Sequence, residues 1–82
     1  MTDEELVDVV DLLGDLSNDN SIPKNVKEKI ANTITILEDE EELAIKVNRA
    51  LHQLEEVADD ANLQPFTRTQ IWNIVSALEK FT

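Results

Sequence analysis

The chain matches itself at an offset of 41 residues. At that offset Leu13 falls on Leu54, Asp19 on Asp60, Ile30 on Ile71, Asn32 on Asn73, Leu37 on Leu78 and Glu38 on Glu79. Chemical type is kept where identity is lost: Leu6 pairs with Val47, Leu16 with Val57, Ile22 with Leu63, Lys27 with Arg68, Ile34 with Val75 and Thr35 with Ser76. A period of this size belongs to stacked helix pairs, each too small to bury its own apolar stripe. Two copies of one helical hairpin are therefore expected, over roughly residues 2–39 and 43–80 of a single domain.

The spacing of apolar residues agrees. Leu6, Val9, Val10, Leu13 and Leu16 recur at intervals of three and four, one stripe on a helix of about four turns, with Val7 and Leu12 off its centre. Thr2 and Glu5 form a capping-box pattern before it. Gly14 costs about 1 kcal/mol against alanine within a helix, and it marks a place where a neighbouring helix is expected to come close. The turn formers Ser17 to Ser21 end this helix near residue 18, and Pro23 starts the next.

The second helix carries Val26, Ile30, Ile34 and Leu37, with Thr33 beside them. A break near Glu38 or Asp39 is expected, because five carboxylates from Glu38 to Glu42 suit a helix start better than a helix end. Asp39 is read as the cap of a third helix. That helix repeats the first stripe with Leu43, Val47, Ala50, Leu51, Leu54 and Val57. A fourth follows the Asp59–Asn62 turn and Pro65, carrying Ile71, Ile74, Val75, Leu78 and Phe81.

Two hairpins are too few for an open solenoid, so closure into an all-α, up-and-down four-helix bundle of two similar antiparallel hairpins is expected. An open stack completed by a second chain is the alternative. The segment from Leu54 to Glu79, with its Asp59-Asp60 turn, the Pro65 start and the run from Thr69 to Glu79, resembles UPF0147, a small archaeal family of uncharacterised helical-bundle proteins. The stretch from Asn20 to Val26 and the acidic start from Asp39 to Leu43 resemble the same family, so the resemblance covers nearly the whole chain. It implies a four-helix bundle and supplies no catalytic residue.

Composition excludes several functions. Eighteen acidic residues against seven basic ones give a formal charge of −11, which repels phosphate backbones and anionic lipid. Neither nucleic acid nor membrane is expected as a partner. No stretch has the roughly 18 to 20 apolar residues of a membrane span, and the acidic start lacks the basic region of a signal peptide. The absence of cysteine removes disulfides and thiolate chemistry, and a cytoplasmic setting is expected.

No constellation carries chemistry. Asp15, Ser17, Asp19 and Ser21 imitate half a calcium loop, but Asn20 stands where the glycine belongs and Val26 where the closing glutamate belongs. A capped turn is expected there, and no metal or cofactor. His52 is the only histidine, with Glu55 and Glu56 within helical reach, and Arg49 stands where a di-metal bundle needs glutamate. A catalytic site is not expected.

Trp72 is the strongest candidate for a partner surface. It lies about 100° round the helix from Ile71, and its counterpart in the first copy is Ala31. Arg68 shares that flank, and tryptophan and arginine are enriched at binding hot spots. Ile36, Val7 and Leu12 are off-stripe apolar residues; exposed together with Trp72 they would form a patch that a homodimer covers.

The leading expectation is a non-enzymatic interaction module or adaptor that binds another protein or itself. The alternative is a small metal-dependent or hydrolytic enzyme using His52 and acidic residues. A third reading, an acidic mimic of nucleic acid in a basic groove, rests on charge alone.

Overall fold

The structure, a computed structural model, describes residues 4–81 without the side chain of Glu5. The Thr2–Glu5 capping box lies outside the described residues. Four helices run in order: α1 (Glu4–Ser17), α2 (Lys24–Glu38), α3 (Leu43–Ala58) and α4 (Pro65–Glu79). Among the described residues each packs on its neighbour in sequence, and α1 also packs on α4. The result is the expected all-α bundle, a ring of four helices around one core.

That core is what the periodicity announced. Leu13, Val26, Ile30, Val47, Leu54, Val57, Ile71 and Leu78 are fully buried. Fully burying an aliphatic side chain contributes about 1.5–3 kcal/mol, so these few positions dominate the stability. Thr33 belongs to the centre of its stripe rather than beside it. It is fully buried, and its Oγ1 donates to the Lys29 carbonyl at 2.8 Å, which satisfies the hydroxyl inside its own helix. Leu43, by contrast, is exposed at the first position of α3.

The turns use side-chain oxygens instead of glycine. Asp19 Oδ1 accepts the Ser21 N–H at 2.9 Å, and Asp60 Oδ1 accepts the Asn62 N–H at 2.8 Å, the same bond 41 residues on. The Ile22 N–H to Asp19 carbonyl and Leu63 N–H to Asp60 carbonyl bonds also correspond, both at 3.2 Å. Such turns need no left-handed residue, and no described residue has positive φ.

Two further expectations are corrected. Asp39 does not cap α3. It is the C-cap of α2, its N–H donating to the Ile36 carbonyl, while Glu42 occupies the N-cap of α3. Carboxylates therefore lie in the link rather than in the first turn of α3, and Glu41 turns back onto Arg49 at 2.7 Å. Nor does a helix crowd Gly14: a Cβ placed there meets no atom within 4 Å.

Candidate functional site

The ring of helices has two seams related by the 41-residue offset. Shifting α1 and α4 to their counterparts turns the α1–α4 seam into the α3–α2 seam. Among the described residues the α2–α3 seam is the most extensively packed and the α1–α4 seam the least. Loop linkage favours the first, because α2 and α3 are joined by a short connection and α1 and α4 by none. The side chains add to the difference.

Across α2–α3, Lys29 Nζ lies 3.8 Å from Glu56 Oε2, and Asn25 Nδ2 donates to Asp60 Oδ2 at 3.0 Å. The equivalent residues across α4–α1 are Gln70 and Asp15, and Phe66 and Asp19. Gln70 brings no charge to Asp15, and Phe66 offers no donor to Asp19. The clasp that ties one seam is missing from the other.

A cleft of about 380 Å³ lies along that untied seam, lined by Leu12, Asp15, Leu16 and Asp19 from the α1 side and Phe66, Gln70, Asn73, Ile74 and Ala77 from α4. Leu16 and Ile74 are core residues and form its floor. Phe66, at 71% exposure, and Leu12, at 53%, stand at its rim, the two most exposed of the large apolar side chains described. Phe66 and Ala77 are eleven residues apart, so the trough runs for about 16 Å along α4.

Charge is confined to one wall. Asp15 has no ion pair among the described residues. Asp19 spends one oxygen on Ser21, accepting its N–H at 2.9 Å and its hydroxyl at 2.7 Å. The Ser21 N–H and then the hydroxyl hold the Asp19 carboxyl below its ordinary value of 3.8; slight desolvation opposes them and the Lys27 charge assists. Both walls thus present polar groups to water around an apolar floor, but only the α1 wall is charged.

The residues singled out in the sequence lie elsewhere. Trp72 is exposed, but it stands two residues beyond Gln70 and so faces about 160° away from the cleft. Arg68 is half-buried, with Nε donating to the Ala58 carbonyl and Nη2 to the Asp60 carbonyl, both at 2.9 Å. Its guanidinium ties the α3–α4 turn. Ile36 is partly buried against the core and lines a shallow depression with Asn48, Arg49, His52 and Gln53. Val7 and Leu12 are five residues apart and therefore about 140° apart round α1. These apolar residues do not share one face with Trp72.

His52 has a side chain 77% exposed, its Nε2 4.0 Å from Glu56 Oε1, beyond hydrogen-bond range. Among the described residues no group of three or more histidine, cysteine, aspartate or glutamate side chains is placed to hold a metal ion. The Asp15–Ser21 segment is the capped turn that its missing glycine and glutamate imply: Ser17 Oγ donates to the Gly14 carbonyl at 2.8 Å and Ser21 to Asp19.

Sequence reasoning passed over Phe66. The signal was present: Phe66 aligns with Asn25, the same large-against-small mismatch that drew attention to Trp72 and Ala31. It follows Pro65 directly and lies off the helix stripe, so the spacing of apolar residues did not single it out.

Fold and site define a small all-α bundle of two like hairpins with one untied seam. The chain belongs to UPF0147, an uncharacterised protein family, whose model matches residues 1–81. It is 39% identical to a UPF0147 protein of Methanocaldococcus jannaschii, over 96% of this chain and 87% of that one. A UPF0147 protein of Aeropyrum pernix is 35% identical over 83% of this chain and 76% of its own. One of Archaeoglobus fulgidus is 29% identical over 100% of this chain and 94% of its own. No solved structure matches the chain. Among the described residues no helix is long and apolar enough to cross a membrane.

Proposed function

We propose that this protein is a non-enzymatic interaction module of the cytoplasm that binds another protein through the α1–α4 cleft. One observation carries the reading. At the seam where the clasp is lost, two large apolar side chains, Leu12 and Phe66, stand exposed in place of the polar Gln53 and Asn25 of the tied seam. Exposed apolar side chains at the rim of a trough of this length suit a helix-in-groove contact.

A second copy is the weaker occupant. Two chains of formal charge −11 repel, most of all where each presents Asp15 and Asp19 at the contact. The reading predicts a monomer in sedimentation at native salt. It also predicts that proteins retained from native cell extract are lost on Leu12→Asp or Phe66→Asp and kept on Val7→Asp or Trp72→Ala. Retention that ignores the first pair, or a stable homodimer dissolved by the same substitutions, overturns it.

A further inference from the structure

We infer that the occupant of the α1–α4 cleft is a basic amphipathic helix of about three turns, whose lysine or arginine supplies to Asp15 the cation that Lys29 supplies to Glu56 at the tied seam. The inference rests on the cleft being a protein-binding surface, as proposed above, and names the chemistry of what binds.

The tied seam is the template. There, a helix presents Lys29 to Glu56 and Asn25 to Asp60. At the untied seam both carboxylate positions are kept, as Asp15 and Asp19, while both partners are replaced, by Gln70 and Phe66. The acceptors remain and the donors are gone. A helix laid along the trough restores the donors from outside and covers Leu12, Leu16, Ile74 and Phe66 with its own apolar face.

Length and charge fix the rest. A trough of about 16 Å takes roughly eleven residues of helix, enough for apolar anchors at positions i, i+4 and i+7. The α4 wall is uncharged, contributing Phe66, Gln70, Asn73 and Ala77, so the basic side chains of the occupant fall on the α1 side. Attraction to a chain of charge −11 accelerates the encounter and makes it sensitive to salt.

The test transplants the clasp. In the double variant Phe66→Asn, Gln70→Lys, α4 carries the tied seam's own residues opposite Asp15 and Asp19, at positions that are exposed or half-buried, so the fold is retained. The probe is a synthetic 14-residue helical peptide of leucine and lysine with leucines at i, i+4 and i+7, beside a twin with glutamate for every lysine. Binding is followed by amide chemical-shift mapping.

The lysine peptide is expected to shift residues of α1 and α4 along the cleft, and the clasp variant to weaken it at least tenfold. Asp15→Asn, a second variant that leaves the apolar floor intact, is expected to weaken it about two- to fivefold, the range of an exposed ion pair. The glutamate twin is expected not to bind. Shifts scattered over the whole acidic surface, equal binding by the twin, or indifference to both variants overturns the inference. If the peptide fails while retention of cellular proteins still depends on Leu12 and Phe66, the basic-helix assignment falls and the interaction module stands. If that retention is also indifferent to the cleft, both fall.

Discussion

Arg68 Nε lies 2.9 Å from the Ala58 carbonyl oxygen, ten residues back across the α3–α4 turn. With Nη2 on the Asp60 carbonyl, one cation closes the end of α3 and the turn after it. Its counterpart in the first hairpin, Lys27, donates to the Asn20 side chain at 3.4 Å and to no backbone carbonyl from its side chain among the described residues. The two positions match in sequence and differ in consequence. Arg68→Ala is expected to lower the unfolding free energy by about 1–3 kcal/mol, the scale of hydrogen bonds made by a charged donor. Lys27→Ala is expected to stay within about 0.5 kcal/mol. Urea titration of both variants checks this, and equal losses would refute the assignment.

Gly14 sits inside α1 with open space where a side chain would go. Gly14→Ala therefore gains helix propensity without a clash, about 0.5–1 kcal/mol. For a domain of this size that raises Tm by roughly 2–8 °C, since 1 kcal/mol corresponds to about 4–8 °C. An unchanged or lower Tm in a thermal scan would show that the backbone at Gly14 is needed as it is.

Asp19 provides a test by pH. Its carboxyl titrates below 3.8 because the Ser21 N–H, and next the Ser21 hydroxyl, bond the charged form. A folded-state pKa below the unfolded one means these bonds stabilise the fold above about pH 3.8 and that the contribution fades as pH falls through the lower, folded value. In a carboxyl NMR titration Asp19 should show a midpoint under 3.8. Ser21→Ala should move it part of the way back, because the backbone N–H remains. A wild-type midpoint at or above 3.8 contradicts the bonded turn.

Core and rim should respond differently to truncation. Leu54 is fully buried, whereas Leu12 is 53% exposed. Leu54→Ala is expected to cost about 2–5 kcal/mol, enough to unfold most of a chain this small, and Leu12→Ala less than about 0.5 kcal/mol. Denaturant midpoints separate the two. A large loss at Leu12 would mean that the cleft wall is part of the core.

The architecture was legible because it depends on spacing. Intervals of three and four placed Leu13, Ile30, Leu54 and Ile71 inward, and the helices bury those residues completely. Helix ends were less legible. Asp39 looks like a cap in isolation, but its N–H completes the end of α2, and the chain needs three more residues to turn before α3 begins. The cleft was hidden for a different reason. It follows from comparing pairs across two seams, Lys29 with Glu56 against Gln70 with Asp15, and which helices meet is a property of ring closure that no single stripe declares. Trp72 drew attention by its size, its mismatch with Ala31 and its place at the edge of the stripe, and none of these says which side of α4 faces α1.

Because α1 borders α4 as well as α2, the ring has four seams and only three covalent links. Exchanging the order of the hairpins, by cutting the link between Glu38 and Leu43 and joining the α4 end to the α1 end, would leave every helix beside the same two neighbours. A circularly permuted chain should therefore fold to the same ring, with its new link spanning the cleft seam and its new termini at the seam that Lys29 and Glu56 hold together.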